Sequence, residues 1–379
     1  MPAPDSQNQH STLAKVTAHP LVAVVLLFFP AIFSVVYANY VADWLYTPTL
    51  ALLSPALDAV EQWPGILSAL FGGNYGLFAM FPFLVLYALP TIIVFSLIIG
   101  FYKTTNLIGH LSGALHPYLQ HIGIGGDDLV RVVMGFGCNV PAIVSSRSCE
   151  SCSRGACVSA ISFGSACSYQ LPATFAVFAA ADMSWLGMVY LLLMVITTLI
   201  YVRITTPKAI RLANKLKKAT GMNNLSAPNR QDILADLLDD LKSFVVTAFP
   251  IFIVICFSAA FLEWVGFLAY FTQALAPVMA LFNLPAEAAT AVVLGSVRKD
   301  GIAVGLLNQD SGVLSVALDT PHQVLTAVYL AGVLLPCLVT VLTIVREMQW
   351  KFALRLCLKQ VLWASGFSLV IAWGGALLF

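Results

Sequence analysis

Long apolar stretches without any acidic or basic residue divide this chain into membrane-length segments. They comprise residues 21–42, 76–102, 155–181, 185–202, 243–262, 321–345 and 360–379. Each stretch reaches or approaches the roughly 20 residues that an α-helix needs to cross a bilayer. The pattern therefore predicts an all-α polytopic membrane protein with about eight transmembrane segments.

The composition supports this class and excludes others. Hydrophobic residues make up 59% of the 379 residues and charged residues 10%, whereas a soluble domain carries about 25% charged residues. The formal net charge is +1, so the chain lacks the basic footprint of a nucleic-acid-binding protein. Residues 1–20 are polar and lack the features of a cleaved signal peptide, so we expect a polar tail before an uncleaved first span.

Lysine and arginine residues collect in two regions between the apolar stretches. Residues 203–242 contain eight of them, and a smaller group lies between residues 346 and 359, whereas residues 46–75 contain none. Because basic residues accumulate on the cytoplasmic side, we expect both basic regions there, with the N-terminus on that side of the cytoplasmic (inner) membrane. The basic loop 203–242 then divides a first membrane half, residues 21–202, from a second, residues 243–379.

Each half contains an apolar segment that small, cyclic or charged residues interrupt. The gate residues at these interruptions are Gly135, Gly137 and Pro141 in the first half and Gly301 and Gly305 in the second. Non-helical backbone at membrane depth is tolerated only where protein buries it or where it lines a cavity. Interrupted segments at corresponding positions of two halves point to the binding site of a transporter. The alternative is that these residues only kink ordinary packing helices.

Candidate metal ligands stand at or beside such interruptions. They are Cys138, Asn139, Cys167, Cys337 and Asp300. Borderline transition-metal cations accept thiolate and carboxylate ligands, a neutral amide oxygen suits an ion that must leave again, and intramembrane charges are functional by default. The structural alternatives are that the cysteines pack as small apolar residues, and that Asp300 forms an ion pair with Arg298 or Lys299 that only holds the gate.

Three further cysteines follow the first interruption. Cys149 and Cys152 form a Cys-x-x-Cys pair, and Cys157 comes five residues later. In cytosolic surroundings, such a group is typical of metal binding or redox chemistry. These cysteines are therefore candidates for a secondary metal or redox site, and the alternative is that they are ordinary loop thiols.

The interruptions resemble the motifs of a known family. Gly135-Phe136-Gly137-Cys138-Asn139-Val140-Pro141-Ala142 resembles the first gate motif of the membrane permease part of FeoB-type ferrous iron transporters. Cys167 with Leu171-Pro172 is similar to that family's second cysteine motif, and residues 298–306 resemble a second gate motif found in one branch. Pro336-Cys337 is similar to a closing motif. The resemblance covers nearly the whole chain.

The resemblance implies a permease for Fe²⁺ or a similar divalent metal, in which Cys138, Cys167 and Cys337 converge on one cysteine-lined pathway. Fe²⁺ would be the transported ion, with no permanently bound cofactor and no enzymatic activity. Only eighteen residues precede His19, and no Gly-x-x-x-x-Gly-Lys-Ser/Thr loop occurs. We therefore expect the GTP-binding domain of the family to be missing and the energy source to lie outside this chain. The chain also departs from the family at residues 101–106, where an acidic stretch is replaced, and at Gln170, where an arginine is lost.

Membrane lipid and a divalent metal ion are the expected partners, and nucleic acid is not. The sequence also allows a homo-oligomer and a separate nucleotide-binding subunit, for which the basic loop 203–242 is one receiving surface. Two other functions stay open. The gate motif also occurs in nucleoside-carrier-like transporters of organic solutes, and a membrane sensor could keep the fold without transport. The clustered thiols favour a metal.

Overall fold

The computed structural model describes residues 17, 19–73, 76–78, 81, 85–86, 89–149, 153–167, 170–216, 225–307 and 314–378. These residues are helical almost throughout. Within them, the only β pairing is an isolated antiparallel bridge between Leu307 and Leu314. The all-α fold class that the sequence predicts is confirmed.

The chain divides into two compact units, each assembled from separate stretches of sequence. The first unit comprises Met1–Ala38, Leu89–Ser165 and Thr198–Val246, and the second comprises Asn39–Ala88, Ala166–Thr197 and Thr247–Phe379. The described helices are α1 (Pro20–Glu61), α2 (Ile66–Phe71), α3 (Leu89–Thr104), α4 (Leu107–Leu119), α5 (Gly126–Gly137), α6 (Asn139–Ser145), α7 (Arg154–Gly164), α8 (Gln170–Ala180), α9 (Leu186–Thr205), α10 (Lys208–Leu216), α11 (Arg230–Ser243), α12 (Phe249–Trp264), α13 (Phe267–Met279), α14 (Ala289–Val297), α15 (Gly301–Leu306), α16 (Pro321–Val333), α17 (Leu338–Met348) and α18 (Trp350–Leu378).

Several of these helices are long and apolar enough to cross a membrane. Four such spans lie in the described residues, namely Pro20–Ala42, Leu186–Thr205, Pro321–Met348 and Trp350–Leu377. Two sharply bent helix pairs raise the number to six. The polytopic class is thus confirmed. The count lies below the expected number of about eight spans, partly because the uncharged stretch 155–181 is divided between the short helices α7 and α8.

The two bent pairs share their construction. Helices α3 and α4 bend by 83°, and Phe252–Trp264 and Ala269–Phe282 bend by 82°. Each bend has a residue in the left-handed conformation, Asn106 with φ 58° in the first pair and Gly266 with φ 78° in the second. Asparagine and glycine adopt this conformation more readily than other residues. Asn106 and Gly266 are 160 residues apart in the chain. The same element therefore occurs once in each half of the sequence.

Helices α5 and α6 form a hairpin, which we call the first hairpin. The Cys149 sulphur, four residues after the end of α6, lies 3.5 Å from Oδ1 of Asp128 near the start of α5. If the chain continued in one direction as a helix, these 21 residues would separate the two side chains by about 30 Å. The chain therefore reverses at Cys138, and the first gate segment enters and returns rather than crossing.

Helices α14 and α15 form the second hairpin in the same way. A Cβ atom at Gly305 would lie 2.4 Å from Cα of Ala291, and one at Gly301 would lie 2.6 Å from the carbonyl carbon of Leu294. Contacts that pair later residues of α15 with earlier residues of α14 require antiparallel helices. Glycine is needed at both positions because the two backbones touch.

The basic region 203–242, expected as a loop, contains helices α10 and α11. Asn229 caps α11 by accepting a hydrogen bond from the backbone N–H of Gln231. The helix packs along α3, where Ser96 donates a hydrogen bond to Oδ2 of Asp240 over 2.6 Å. An exposed ion pair, 3.1 Å long, joins Lys103 and Asp236. Part of the basic region is therefore an ordered helix of the first unit.

Candidate gate and metal site

The first hairpin turns at Cys138, which has an extended backbone (φ −156°, ψ 132°) between the end of α5 and the start of α6. Its side chain is partly exposed. Pro141 stands in the first turn of α6, where the backbone N–H groups have no intrahelical acceptor, so proline removes no hydrogen bond there. The thiol thus lies at a true interruption of the helix, as the sequence predicts.

Asn139 supplies a buried oxygen next to Cys138. The residue is 5% exposed, and no group in the described part of the chain donates a hydrogen bond to its Oδ1. A buried acceptor without a donor is uncommon and calls for an explanation. A Cβ atom at Gly135 would lie 3.0 Å from this oxygen and 2.5 Å from Oγ of Ser165, so glycine gives both side chains access to the last turn of α5.

Ser165 holds the start of the second cysteine motif against the first hairpin. Its hydroxyl donates a hydrogen bond to the carbonyl of Val132 over 2.6 Å. Val132 and Gly135 are both on α5, within the first unit. Cys167 follows Ser165 by two residues along the chain, is buried, and belongs to the second unit.

The second hairpin turns at Arg298, whose extended backbone (φ −142°, ψ 141°) is similar to that of Cys138. Arg298 is 160 residues after Cys138, as Gly295 is after Gly135. The Arg298 guanidinium donates two hydrogen bonds to Asp300, with Nε 3.0 Å from Oδ1. It also lies over the ring of Phe252, 5.4 Å from its centroid. A thiol in one hairpin thus corresponds to a cation in the other.

Lys299 places a second cation at this turn. The residue is 5% exposed, and its ammonium group donates hydrogen bonds to the carbonyls of Gly332, over 2.7 Å, and Leu335, over 2.6 Å. These carbonyls are left open where α16 ends before Pro336. Lysine at the carboxyl end of a helix also interacts favourably with the helix dipole. The Lys299 charge therefore stabilises the interruption between α16 and α17.

Cys167 and Cys337 both lie within electrostatic range of Lys299 in the second unit. Cys337 precedes the first residue of α17, and its sulphur is 3.0 Å from Oγ1 of Thr340. The carbonyl of Cys167 accepts backbone hydrogen bonds from Gln170 and Leu171, and so begins α8. The structure therefore brings two of the three predicted pathway cysteines near one buried ammonium group.

The remaining predicted residues fall into three groups. Asp300 forms an ion pair with Arg298, as expected if it only holds the gate, and its role as a metal ligand stays a prediction. Gly301 and Gly305 permit the close packing of the second hairpin, and Gly137 ends α5. Cys149 and Cys157 come together with Asp128, and Cys152 lies outside the described residues.

The sequence did not indicate the buried hydrogen bonds of the second unit. Gln170, noted only as the position where the family's arginine is lost, donates a hydrogen bond to the hydroxyl of Tyr190 over 2.7 Å, and both residues are buried. Tyr329 is likewise buried and donates to Thr197 over 2.8 Å. Aromatic residues in apolar segments are too common to single out from the sequence.

The fold and these turns define a polytopic membrane protein whose two re-entrant hairpins carry functional groups at their turns. The chain belongs to the Gate (nucleoside recognition) family, whose model matches residues 85–181 and 245–351. Both hairpins lie inside the matched regions.

Several curated relatives are Fe(2+) transporters. The chain is 25% identical over 328 residues to "Fe(2+) transporter FeoB" of Methanocaldococcus jannaschii, covering 78% of this chain and 48% of that protein. It is 25% identical over 159 residues to the Synechocystis protein of the same name, covering 39% of this chain and 24% of the relative. A Porphyromonas gingivalis protein, "Fe(2+) transport protein A/Fe(2+) transporter FeoB fusion protein", is 30% identical over 63 residues, which are 17% of this chain and 8% of the relative.

These matches confirm the resemblance to the membrane part of the FeoB transporters. The chain spans about half the length of the archaeal relative, and less of the other two. No solved structure matches the chain.

Proposed function

We propose that this chain is a permease that moves Fe²⁺, or a similar divalent metal ion, across the membrane. The observation that carries the proposal is the turn of the first hairpin. There the partly exposed thiol of Cys138 is followed in the chain by Asn139, whose buried oxygen has no donor among the described residues. A thiolate and a neutral oxygen together suit a borderline cation that must be released again. The printed names of the relatives, which specify Fe(2+), support this metal.

The charges in the second unit suit reversible binding. The Lys299 ammonium group lies within electrostatic range of Cys167 and Cys337, and cysteines bind a metal as thiolates. With both thiols ionised, these three groups carry a net charge of −1. A divalent cation is then attracted, but less strongly than by two thiolates alone, which favours release. We propose that Cys138, Cys167 and Cys337 line one pathway with Asn139.

The cellular setting follows from the relatives and the distribution of charge. We propose the cytoplasmic (inner) membrane, a cytoplasmic N-terminus and an energy source outside the described chain. The Porphyromonas gingivalis relative combines two named transport proteins in one chain, which supports an association of this chain with further proteins. The basic region 203–242 is one surface for a nucleotide-binding partner.

Ion flux into proteoliposomes tests the proposal. Vesicles with the wild-type chain should take up radiolabelled Fe²⁺, and Cys138→Ser should reduce the rate at least about tenfold, because serine does not supply a thiolate. The matched control is Cys357→Ser, which removes a partly exposed thiol of α18 outside both hairpins and should leave uptake unchanged. Equal uptake by the Cys138 variant, with the variant folded in the membrane, would contradict the metal pathway.

The description of the matched family favours one competing substrate, a nucleoside. The same vesicles should therefore be tested with radiolabelled uridine, Mn²⁺ and Zn²⁺. Uridine uptake that does not depend on Cys138, without metal uptake, would assign the chain to organic solute transport. If the reconstituted, folded protein moves none of these substrates, the proposal is contradicted and a sensor is favoured.

A further inference from the structure

A group of metal-ligating side chains lies at the open end of the first hairpin, away from its turn. Asp128, Cys149 and Cys157 each place one ligand atom within 4.8 Å of the others. Asp128 and Cys157 are buried, and Cys149 is partly exposed. Asp128 and Cys138 are at opposite ends of α5, so ten residues of helix separate the group from the turn by about 15 Å.

The distances suit a tetrahedral transition-metal ion. Zinc binds thiolate sulphur at about 2.3 Å and carboxylate oxygen at about 2.0–2.2 Å, which places neighbouring ligand atoms about 3.5–3.8 Å apart. The Cys149 sulphur is 3.5 Å from Oδ1 of Asp128. The Cys157 sulphur is 3.9 Å from the backbone carbonyl oxygen of the same residue. A small movement of the side chains would complete three ligands, with the partly exposed Cys149 leaving room for a fourth from solvent.

The surroundings orient the carboxylate as they do in many metal sites. The backbone N–H of Gly125 donates a hydrogen bond to Oδ2 of Asp128 over 3.0 Å, which leaves Oδ1 directed to Cys149. Partners of this kind fix the direction of a ligand and are part of most metal sites.

The charges of the group also balance that of a divalent ion. A guanidinium nitrogen of Arg131 lies 3.6 Å from Oδ1 of Asp128 and compensates this carboxylate while both thiols are protonated. Metal binding requires deprotonated cysteines. The two thiolates and the carboxylate would then carry −3 and Arg131 +1, so an ion of charge +2 would make the group neutral.

We infer that Asp128, Cys149 and Cys157 form a binding site for a borderline divalent transition-metal ion, Zn²⁺ or Fe²⁺, at the base of the first hairpin. The site is separate from the pathway residues of the proposed transport function and does not depend on it. The ion joins the start of α5, the segment that follows α6, and α7. It therefore ties both ends of the hairpin to the next helix while leaving the turn at Cys138 untouched.

Cobalt binding tests the site. The purified full-length chain in detergent is reduced, stripped of metal with a chelator and titrated anaerobically with Co²⁺, whose thiolate complexes absorb in the near ultraviolet. We expect the wild type and the control Cys357→Ser, which lies outside both proposed sites, to show this band. Cys149→Ser, which alters a partly exposed position, should weaken Co²⁺ binding at least about tenfold, because a thiolate ligand is lost. Displacement of Co²⁺ by Zn²⁺ or by Fe²⁺ identifies the preferred ion.

A second variant separates the site from a fold effect. Asp128→Asn keeps both thiols and the volume of the side chain, and should also weaken Co²⁺ binding while circular dichroism shows an unchanged helix content. An unchanged band in Cys149→Ser would overturn the inference. A wild-type chain without a band, with its thiols shown to be reduced by a thiol reagent, would overturn it as well.

Discussion

At the scale of single residues, Lys299 buries a full positive charge within an apolar region. Removing a charge from water costs several kcal/mol unless partners compensate for it. The compensation comes from the carbonyls of Gly332 and Leu335, 33 and 36 residues further along the chain. Gln360 satisfies the neighbouring carbonyl of Val333 over 2.8 Å. Two side chains distant in the sequence, one in the turn of the second hairpin and one on α18, thus replace the hydrogen bonds that the interruption after α16 removes.

Replacing Lys299 with methionine should destabilise the protein. The two carbonyls would remain buried without their donor, at a cost of about 1–3 kcal/mol each, so the free energy of unfolding should fall by about 2–4 kcal/mol. The control is Lys351→Met, at an exposed position, which should change stability by less than about 0.5 kcal/mol. Thermal unfolding in detergent measures both. Equal stability of the two variants would show that Lys299 does not support the interruption.

A residue's role could be predicted from the sequence when its interactions are with near neighbours in the chain, and not when its partners are far away in the chain. Cys138 and Asn139 stood out because glycine and proline surround them, and a local pattern is enough to indicate an interrupted helix. Asp300 could be a ligand or an ion-pair partner, and only the geometry of Arg298 favours the ion pair. Lys299 could not be assigned, because its acceptors are backbone atoms far away in the sequence.

At the scale of elements, the two hairpins depend on close contact between their helices. In the second hairpin, α14 and α15 pack backbone to backbone at Gly305, Ala291 and Gly301. Small residues let membrane helices approach closely, where dispersion contacts replace the missing hydrophobic drive. The glycines at the turn were predicted as sites of interruption, and the structure adds that they also make the packing of the hairpin possible.

Alanine at Gly305 should therefore destabilise the second hairpin. Its Cβ would meet backbone atoms of Ala291 at 2.4 and 2.5 Å, and overpacking of this kind costs about 1–3 kcal/mol. Gly366→Ala is a control for which the change in stability should have the opposite sign. Gly366 lies in the middle of α18, and a Cβ atom there would have no neighbour within 4 Å. It should stabilise the helix by about 0.5–1 kcal/mol. Unfolding midpoints of both variants in the same detergent check the pair, and a Gly305→Ala protein as stable as wild type would refute the close packing.

The direction of the chain after each interruption was beyond the reach of the sequence. Gly137 and Pro141 predict a helix end, yet a helix end permits a kink, a bend or a reversal. The reversal is visible only because Cys149 returns to Asp128 and α15 returns along α14. Both contacts are tertiary, and no local propensity encodes them.

At the scale of the whole molecule, apolarity and the absence of charge were sufficient to indicate an all-α membrane protein. They indicated about eight spans, and the described residues contain four, or up to six if each bent pair is one span, because hydropathy alone does not distinguish a crossing helix from two short helices joined at a break. The repeat of a hairpin in each half was predictable in outline from the two interruptions, whereas the bent pair before each hairpin was not. The division of the chain into two units built from separate segments was not.

The re-entrant first hairpin predicts that its two flanks are on one side of the membrane. His121 precedes α5 and Arg147 follows α6, and both are exposed. In intact cells, a membrane-impermeant maleimide should label His121→Cys and Arg147→Cys with the same sidedness. Ser54→Cys and Gln231→Cys, at exposed positions expected on opposite sides, provide the references, and the wild type gives the background. Labelling of His121→Cys and Arg147→Cys from opposite sides would mean that the segment crosses.

The hydrogen bonds of Lys299 also affect which ions the proposed permease would exclude. Mg²⁺ and Ca²⁺ are hard cations that require several oxygen ligands, and pores commonly offer them carbonyls from unwound backbone. After α16, the carbonyls of Gly332, Val333 and Leu335 already accept hydrogen bonds from Lys299 and Gln360. A hard cation would therefore be repelled by the Lys299 ammonium group and would find carbonyl oxygens that already accept hydrogen bonds. The polarisable sulphurs of Cys167 and Cys337 remain suited to a softer ion. In the permease that we propose, chemical hardness, rather than ionic size, would be the property on which this interruption discriminates.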